Sequence, residues 1–213
     1  MAQSTVNKTL MNIFGLAVII NGFIVFAEYL AVAPIGTSFL LDFIAFAFLP
    51  MVAAFLAIPV SLVLLFLRRY RIIGIKLFLG CLIYLIVGIA CIRLHVDIRH
   101  NGFVNLAHRS RTLVSAIQQF ETKYGKPPYK LEQLVPEFLP AVPKTGMGAY
   151  PNYEYLVVKD QTAYEGNPWV LKVQTPGGGL NWDMFLYLPK QNYPQAGYGG
   201  VLERIEDWAY VHE

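Results

Sequence analysis

Charge is scarce in this chain of 213 residues, of which only 15% are charged and 55% are hydrophobic. Soluble proteins average about 25% charged residues, so the composition excludes an ordinary soluble domain. Acidic side chains are almost missing from the first half, which has two of them against six basic ones up to Arg93. The rest of the chain has eleven basic and twelve acidic residues, so the formal net charge of +3 arises in the hydrophobic half. This distribution argues against a nucleic-acid partner, which requires basic residues clustered on a soluble face.

The chain has only two cysteines, and it lacks the common catalytic motifs. Cys81 and Cys91 both lie in an apolar run, where ten residues of helix would separate them by about 15 Å, so no disulfide is expected. The second half has no cysteine, no Gly-x-Ser-x-Gly, no His-Glu-x-x-His and no Walker loop. We therefore expect a non-enzymatic protein without a cofactor.

What the sequence does contain is three long apolar stretches, at about 10–32, 39–67 and 72–92. Each is long enough for the roughly 20 helical residues that cross a bilayer. The first is longer than the apolar core of a signal peptide, so we interpret it as a membrane span. The sequence thus predicts a three-helix transmembrane domain at 1–93 and a second domain at 94–213.

The charges between these stretches predict the orientation. Four basic residues, Arg68, Arg69, Arg71 and Lys76, lie around the second connection, whereas the first, at 33–38, is uncharged. The positive-inside rule places the basic connection in the cytoplasm. The N-terminus is then cytoplasmic and the second domain is outside, in the periplasm if the host is a Gram-negative bacterium. We expect an integral protein of the cytoplasmic (inner) membrane.

The second domain has the pattern of an α+β fold. Apolar residues three and four positions apart from Phe103 to Tyr124 predict an amphipathic helix, which Gly125 and the two prolines after it should end. The sequence leaves open whether this helix continues the third span or breaks at His100–Gly102. A short helix is expected at 131–138. Four short runs rich in aromatic or β-branched residues follow, at 153–158, 169–173, 184–188 and 208–211, and predict a three- or four-stranded antiparallel sheet packed against the long helix.

Part of this domain resembles a known family. The segments Leu-Val-Ser-Ala-Ile-Gln-Gln-Phe-Glu-Thr-Lys-Tyr-Gly-Lys-Pro-Pro at 113–128 and Leu-Glu-Gln-Leu-Val-Pro-Glu-Phe-Leu-Pro-Ala-Val-Pro-Lys at 131–144 resemble type IV pilin-like proteins, and most of all the major pseudopilins of type II secretion. The resemblance covers about Ala107–Tyr155. It implies a hydrophobic helix that runs from the membrane into an exported α+β head. The position five residues after Gly74 is Leu79 rather than the family's glutamate, and two spans come first, so we expect neither prepilin cleavage nor pilin-like polymerisation.

Polar residues in or near the spans are candidate functional groups. Glu28 and Asp42 are the acids within the spans, and a carboxylate inside a bilayer points to function. Three interpretations remain open: an ion pair with Arg93, solvation among the headgroups, or a route for ions or protons.

A basic collar is predicted just beyond the third span, formed by Arg99, His100, Arg109 and Arg111. It can contact lipid phosphates or be an ordinary solvated face. His95, His100 and His108 are spaced by five and eight residues, which does not bring them to one helical face, so no metal site is expected.

Aromatic residues dominate the last third of the chain. We single out six as a candidate binding patch: Trp169, Trp182, Tyr187, Tyr193, Tyr198 and Trp208. Tyrosine and tryptophan are enriched at recognition surfaces, but they also fill the cores of small sheets.

These patterns favour a membrane protein that displays its second domain for protein–protein interaction or self-association, as an accessory of a secretion or pilus-related envelope system. Membrane lipids are its other expected partner. The alternative is a ligand-sensing or carbohydrate-binding head that uses the aromatic patch.

Overall fold

A computed structural model describes residues 2–160, 162–178 and 181–212. Its internal contacts divide the chain into two compact units. The helical unit contains the chain up to Tyr29 together with Phe39–Ile98. The sheet domain contains the chain from Arg99 onwards together with Leu30–Ser38. The connection after the first helix is thus part of the sheet domain, although the sequence suggested a single boundary at residue 93.

Three long helices make up most of the chain from Ala2 to Tyr124. They are α1 (Ala2–Val32), α2 (Ile44–Phe66), which follows a short 3-10 segment at Phe39–Phe43, and α3 (Arg71–Tyr124). All three are long and apolar enough to cross a membrane. Helix α3 has 54 residues and runs through His100–Gly102 without a break, which answers the question left open by the sequence.

In the helical unit, α1 and α3 pack side by side with a constant register. Ala17, Asn21, Ile24 and Glu28 form the buried stripe of α1, spaced by four and three residues. Three contacts define the register. Gly80 and Gly88 of α3 approach α1 so closely that an added Cβ would lie 2.7 Å from Ile13 and 3.2 Å from Asn21 Oδ1 respectively. Further along, His95 Nδ1 lies 3.7 Å from Glu28 Oε2. Each pair is 67 positions apart in the sequence, and a constant difference means that the two helices run parallel.

The sheet domain contains one antiparallel sheet of six strands. The strands are β1 (Glu154–Val157), β2 (Trp169–Gln174), β3 (Met184–Tyr187), β4 (Ala196–Gly197), β5 (Gly200–Ile205) and β6 (Trp208–His212), in the order β1-β2-β3-β6-β5-β4. The sequence predicted four of them, and the hairpin β4–β5 is additional. Its two-residue turn, Tyr198-Gly199, has positive φ at both positions, as tight hairpin turns require.

One face of the sheet packs against α3. The predicted stripe is buried from Phe103 to Ile117, but Tyr124 at its predicted end is 46% exposed. Phe103 stacks on Phe185 with ring centres 4.9 Å apart. At the far end of the contact, Trp169 Nε1 donates to Glu121 Oε2 at 3.1 Å. The helix ends at Tyr124, where Gly125 has φ +68° and donates its N–H to the Glu121 carbonyl. The predicted long helix on an antiparallel sheet is therefore present.

The segment after α3 differs from the prediction of a helix at 131–138. A 3-10 turn covers only Leu131–Leu134 and buries both of those leucines. Pro136 explains the difference, because a proline at this point removes an amide donor that a continuing helix needs.

The opposite face of the sheet is covered by side chains from loops and turns. Val170, Leu186, Leu188 and Val211 form its apolar centre. Tyr164, Tyr193 and Tyr198 pack over it among other side chains. Aromatic residues from connecting segments thus cover this face, as α3 covers the other.

Candidate recognition site

The six aromatic residues of the predicted patch separate into core and surface. Trp169 and Trp208 are fully buried, and Tyr187 is 3% exposed. Their rings lie 5.7 Å (Trp169–Tyr187) and 5.3 Å (Tyr187–Trp208) apart, so they form part of the aromatic core beneath α3. These three are therefore unavailable to a ligand, because their strand positions point to the covered face.

Tyr193 has a structural position as well. Its hydroxyl accepts the Leu188 N–H and donates to the Asp207 carbonyl, both at 2.8 Å, and the Arg204 guanidinium lies 4.1 Å from its ring centre. Burial raises the pKa of this hydroxyl, which is consistent with a neutral phenol holding two backbone segments together.

The other two residues, Trp182 and Tyr198, line the same cavity. Its volume is about 220 Å³, and Asp183, Met184, Val211 and His212 complete most of its wall. Trp182 is 73% exposed, whereas the other two tryptophans of the chain are fully buried. We call this cavity the Trp182 pocket.

Tyr198 is held in the wall of the pocket by an unusual backbone. It has φ +56°, and it stacks at 5.4 Å on Tyr164, which has φ +48°. Left-handed backbone is uncommon for bulky residues, so such positions point to a constraint of structure or function. Burial, together with the charge of Glu165, raises the pKa of Tyr198 to about 12. Its hydroxyl is buried and has no hydrogen-bond partner among the described residues.

A buried charge network supports the floor of the pocket. The Arg99 guanidinium lies 3.5 Å from Asp183 Oδ2, and it donates to the Tyr210 hydroxyl at 3.2 Å and to the Thr175 carbonyl. Tyr210 in turn donates to Asp183 Oδ2, and Asn181 Nδ2 donates to Oδ1 at 2.9 Å. Burial is the main cause that raises the pKa of Tyr210. Because Arg99 neutralises Asp183, the pocket presents no net charge from this pair.

No family model, curated protein or solved structure matches this chain. The resemblance of Ala107–Tyr155 to pilin-like proteins therefore stays a prediction.

The predicted basic collar does not form a single surface. Arg99 is 7% exposed and belongs to the network with Asp183, so it does not face lipid. His100 and Arg111 are exposed and lie near acids of the β5–β6 hairpin, at 3.9 Å from Glu203 and 3.2 Å from Glu206 respectively. Arg109 takes a different direction, since its Nε donates to the Thr145 carbonyl at 2.8 Å.

The candidate polar residues of the spans are also separated. Glu28 is fully buried and faces His95, whereas Arg93 is exposed. Residues two positions apart on a helix point about 200° away from each other, so Arg93 and His95 cannot both face α1. Asp42 is exposed in the 3-10 segment before α2. The structure therefore favours His95 over the predicted Arg93 as the partner of Glu28.

Sequence reasoning missed several residues of the site. Asp183 and His212 line the pocket although neither was a candidate. No motif marks Asp183 as the partner of Arg99, and only the pairing of β3 with β6 brings His212 near Trp182. Among the described residues, no three His, Cys, Asp or Glu side chains lie close enough together to hold a metal ion.

Proposed function

We propose that this protein is a non-enzymatic membrane protein whose sheet domain binds a partner protein through the Trp182 pocket. The observation that carries the proposal is the exposed indole of Trp182 at the edge of a preformed cavity. Interface energy concentrates in a few aromatic or arginine anchors, and tryptophan is the most enriched of them. A side chain of this size left 73% exposed has a large apolar area to bury in a partner.

The surroundings of the pocket support recognition rather than catalysis. Asp183 is already ion-paired with Arg99 and accepts bonds from Tyr210 and Asn181, so its carboxylate is occupied as an acceptor. The network fixes the residue next to Trp182, which lowers the entropy that binding would cost.

Two further observations support the proposed membrane arrangement. Gly148 N–H donates to the Ala33 carbonyl at 2.7 Å within the sheet domain, so the α1–α2 connection and the sheet lie on the same side of any membrane that α1 crosses. The basic residues between α2 and α3 favour the cytoplasm on the other side. Both support a periplasmic or extracellular sheet domain anchored in the inner membrane, in keeping with an accessory of a secretion or pilus-related system that has a pilin-like head.

Site-specific photocrosslinking in membranes tests this proposal. The full chain would carry a benzophenone amino acid at Trp182 or, as a matched control, at Tyr129, which is 76% exposed. We expect a discrete protein adduct from position 182 and none from position 129. Co-expression of two differently tagged copies would show whether the adduct is a second copy of this chain. Adducts from neither position, or equally from both, would overturn the proposal.

A small ligand is the second candidate, because a cavity of about 220 Å³ is below the usual size of a drug-sized ligand site and suits a single ring. An exposed indole in a pocket that Tyr198 and His212 also line suits the apolar face of a neutral sugar ring. Thermal unfolding of the detergent-solubilised chain with a panel of monosaccharides and oligosaccharides separates the candidates. A shift that Trp182→Ala removes, without any protein adduct, would favour the sugar.

A further inference from the structure

The connection between α1 and α2 limits how far part of the sheet domain can lie from a membrane. Six residues, 33–38, join Val32 at the end of α1 to the 3-10 segment that begins at Phe39. A residue spans at most about 3.5 Å, so three residues out and three back reach about 10 Å. The headgroup layer on each side of a bilayer is roughly 5–8 Å thick. If α1 and α2 span the membrane and their ends at Val32 and Phe39 lie at the edge of its hydrocarbon core, the whole connection lies at or just above headgroup depth.

Within the sheet domain, the backbone of segment 144–151 is bonded to this connection and to the last turn of α1. Gly148 N–H donates to the Ala33 carbonyl at 2.7 Å, and Ala149 N–H donates to the Ala31 carbonyl at 3.3 Å. The contact is so close that a Cβ on Gly148 would lie 2.2 Å from Gly36 N. The segment 144–151 therefore shares the depth of the connection.

A groove of about 280 Å³ opens where these two segments meet. Pro34, Ile35, Lys144 and Pro151 are exposed in its lining, and Ile35 is 93% exposed. Arg109 lies beside the groove, since a Cβ on the lining residue Gly146 would come within 2.8 Å of Arg109 Nε. The lining contains a lysine and no acidic residue.

We propose that this groove binds the phosphate headgroup of a membrane phospholipid. Lys144 and Arg109 supply positive charge at the depth where phosphates lie. Of the four residues of the predicted collar, only Arg109 belongs to this site, and Lys144 is its second basic residue. The inference requires α1 and α2 to span the membrane, and it does not depend on what the Trp182 pocket binds.

The depth of the groove is tested by fluorescence quenching in the full chain. In a Cys81→Ser/Cys91→Ser background, a fluorophore would be attached at Pro151→Cys in the groove or at Lys126→Cys. Lys126 is exposed and follows α3 by two residues, and about 22 Å of helix separates Arg109 from the end of α3 at Tyr124. In nanodiscs with a nitroxide on the lipid headgroup, we expect strong quenching at position 151 and little at position 126. Equal quenching at both positions would overturn the placement.

Lipid binding is tested by thermal unfolding in a maltoside detergent, which has no phosphate. Adding short-chain phosphatidylglycerol should raise the Tm of the sheet domain by several degrees. Lys144→Glu should abolish the shift, while the matched control Lys126→Glu should retain it. An undiminished shift in Lys144→Glu would overturn the site, and an equal shift with inorganic phosphate at the same concentration would overturn the lipid as its ligand.

Discussion

Replacing Gly148 by alanine should destabilise the sheet domain. The added methyl would lie 2.2 Å from Gly36 N, 2.7 Å from Gly36 O and 2.8 Å from Gly36 Cα. All three atoms are backbone, so relief requires the 33–38 connection to move away rather than a side chain to rotate. That movement breaks the hydrogen bond that Gly148 donates to the Ala33 carbonyl and weakens the adjacent one that Ala149 donates to the Ala31 carbonyl at the end of α1.

The size of the effect follows from these losses. Overpacking costs about 1–3 kcal/mol, and each backbone hydrogen bond contributes about 1 kcal/mol. We expect a loss of about 3 kcal/mol, which lowers Tm by roughly 10 °C in a domain of this size.

Tryptophan fluorescence provides a selective assay, because Trp169, Trp182 and Trp208 all lie in the sheet domain and two of them are fully buried. Thermal unfolding of the full chain in detergent, followed at the emission maximum, reports this domain without the spans. Gly177→Ala is the matched control, since its new Cβ would meet nothing closer than 3.8 Å. A Gly148→Ala variant that melts with the wild type and with Gly177→Ala would refute the close contact with the connection.

Three further predictions use the same protein. Arg99→Met should destabilise the sheet domain by about 3–5 kcal/mol, because it leaves the buried Asp183 carboxylate without its cation. Thermal unfolding followed by tryptophan fluorescence measures this loss, and the double variant Arg99→Met/Asp183→Leu should recover part of it. An unchanged Tm for Arg99→Met would contradict the network. Burial raises the pKa of Tyr153 and Tyr198 to about 12, against about 10 in an unfolded chain, so their contribution to stability is complete below about pH 10 and is lost as the pH rises through 12. Melting from pH 8 to 12 checks this, and a Tm that does not fall above pH 10 would count against it. Gly88→Val should force α1 and α3 apart, since a Cβ there would already lie 3.0 Å from Met51 and 3.2 Å from Asn21 Oδ1. Maleimide labelling of the buried Cys81 should then become several-fold faster. Gly22→Val should leave the labelling rate unchanged, because the space around Gly22 is open.

The elements with a strong local signal were predictable. The stripe from Phe103 to Ile117 is periodic, and Gly125 with the prolines beyond it is a local stop, so the end of α3 needed no tertiary information. The β4–β5 hairpin was missed because its turn places a tyrosine at positive φ, where glycine, asparagine or aspartate is the usual signal. Local chemistry at Tyr198 points away from a hairpin, and its stacking on Tyr164, 34 positions earlier, is a contact that no local pattern reveals.

The candidate site was harder to predict than the fold. Composition identified Trp182 and Tyr198, but it could not separate them from Trp169 and Trp208, because core and surface tryptophans look alike until strand register is known. Arg99 was assigned to a lipid-facing collar because a basic residue after a span usually lies there. Its partner Asp183 is 84 positions away, and no pattern within a single helix can reveal such a pair.

The bond between Ala149 and Ala31 joins residues 118 positions apart, and this has a consequence for synthesis. The 33–38 connection leaves the ribosome long before the segment that binds it has been made. The segment 144–151 that it binds exists only after α2, α3 and nearly half of the sheet domain have been translated. If α1 and α2 span a membrane, an error in the insertion of either helix would separate 33–38 from 144–151. Such an error would then appear as a misfolded sheet domain, although the strands of that domain are unchanged.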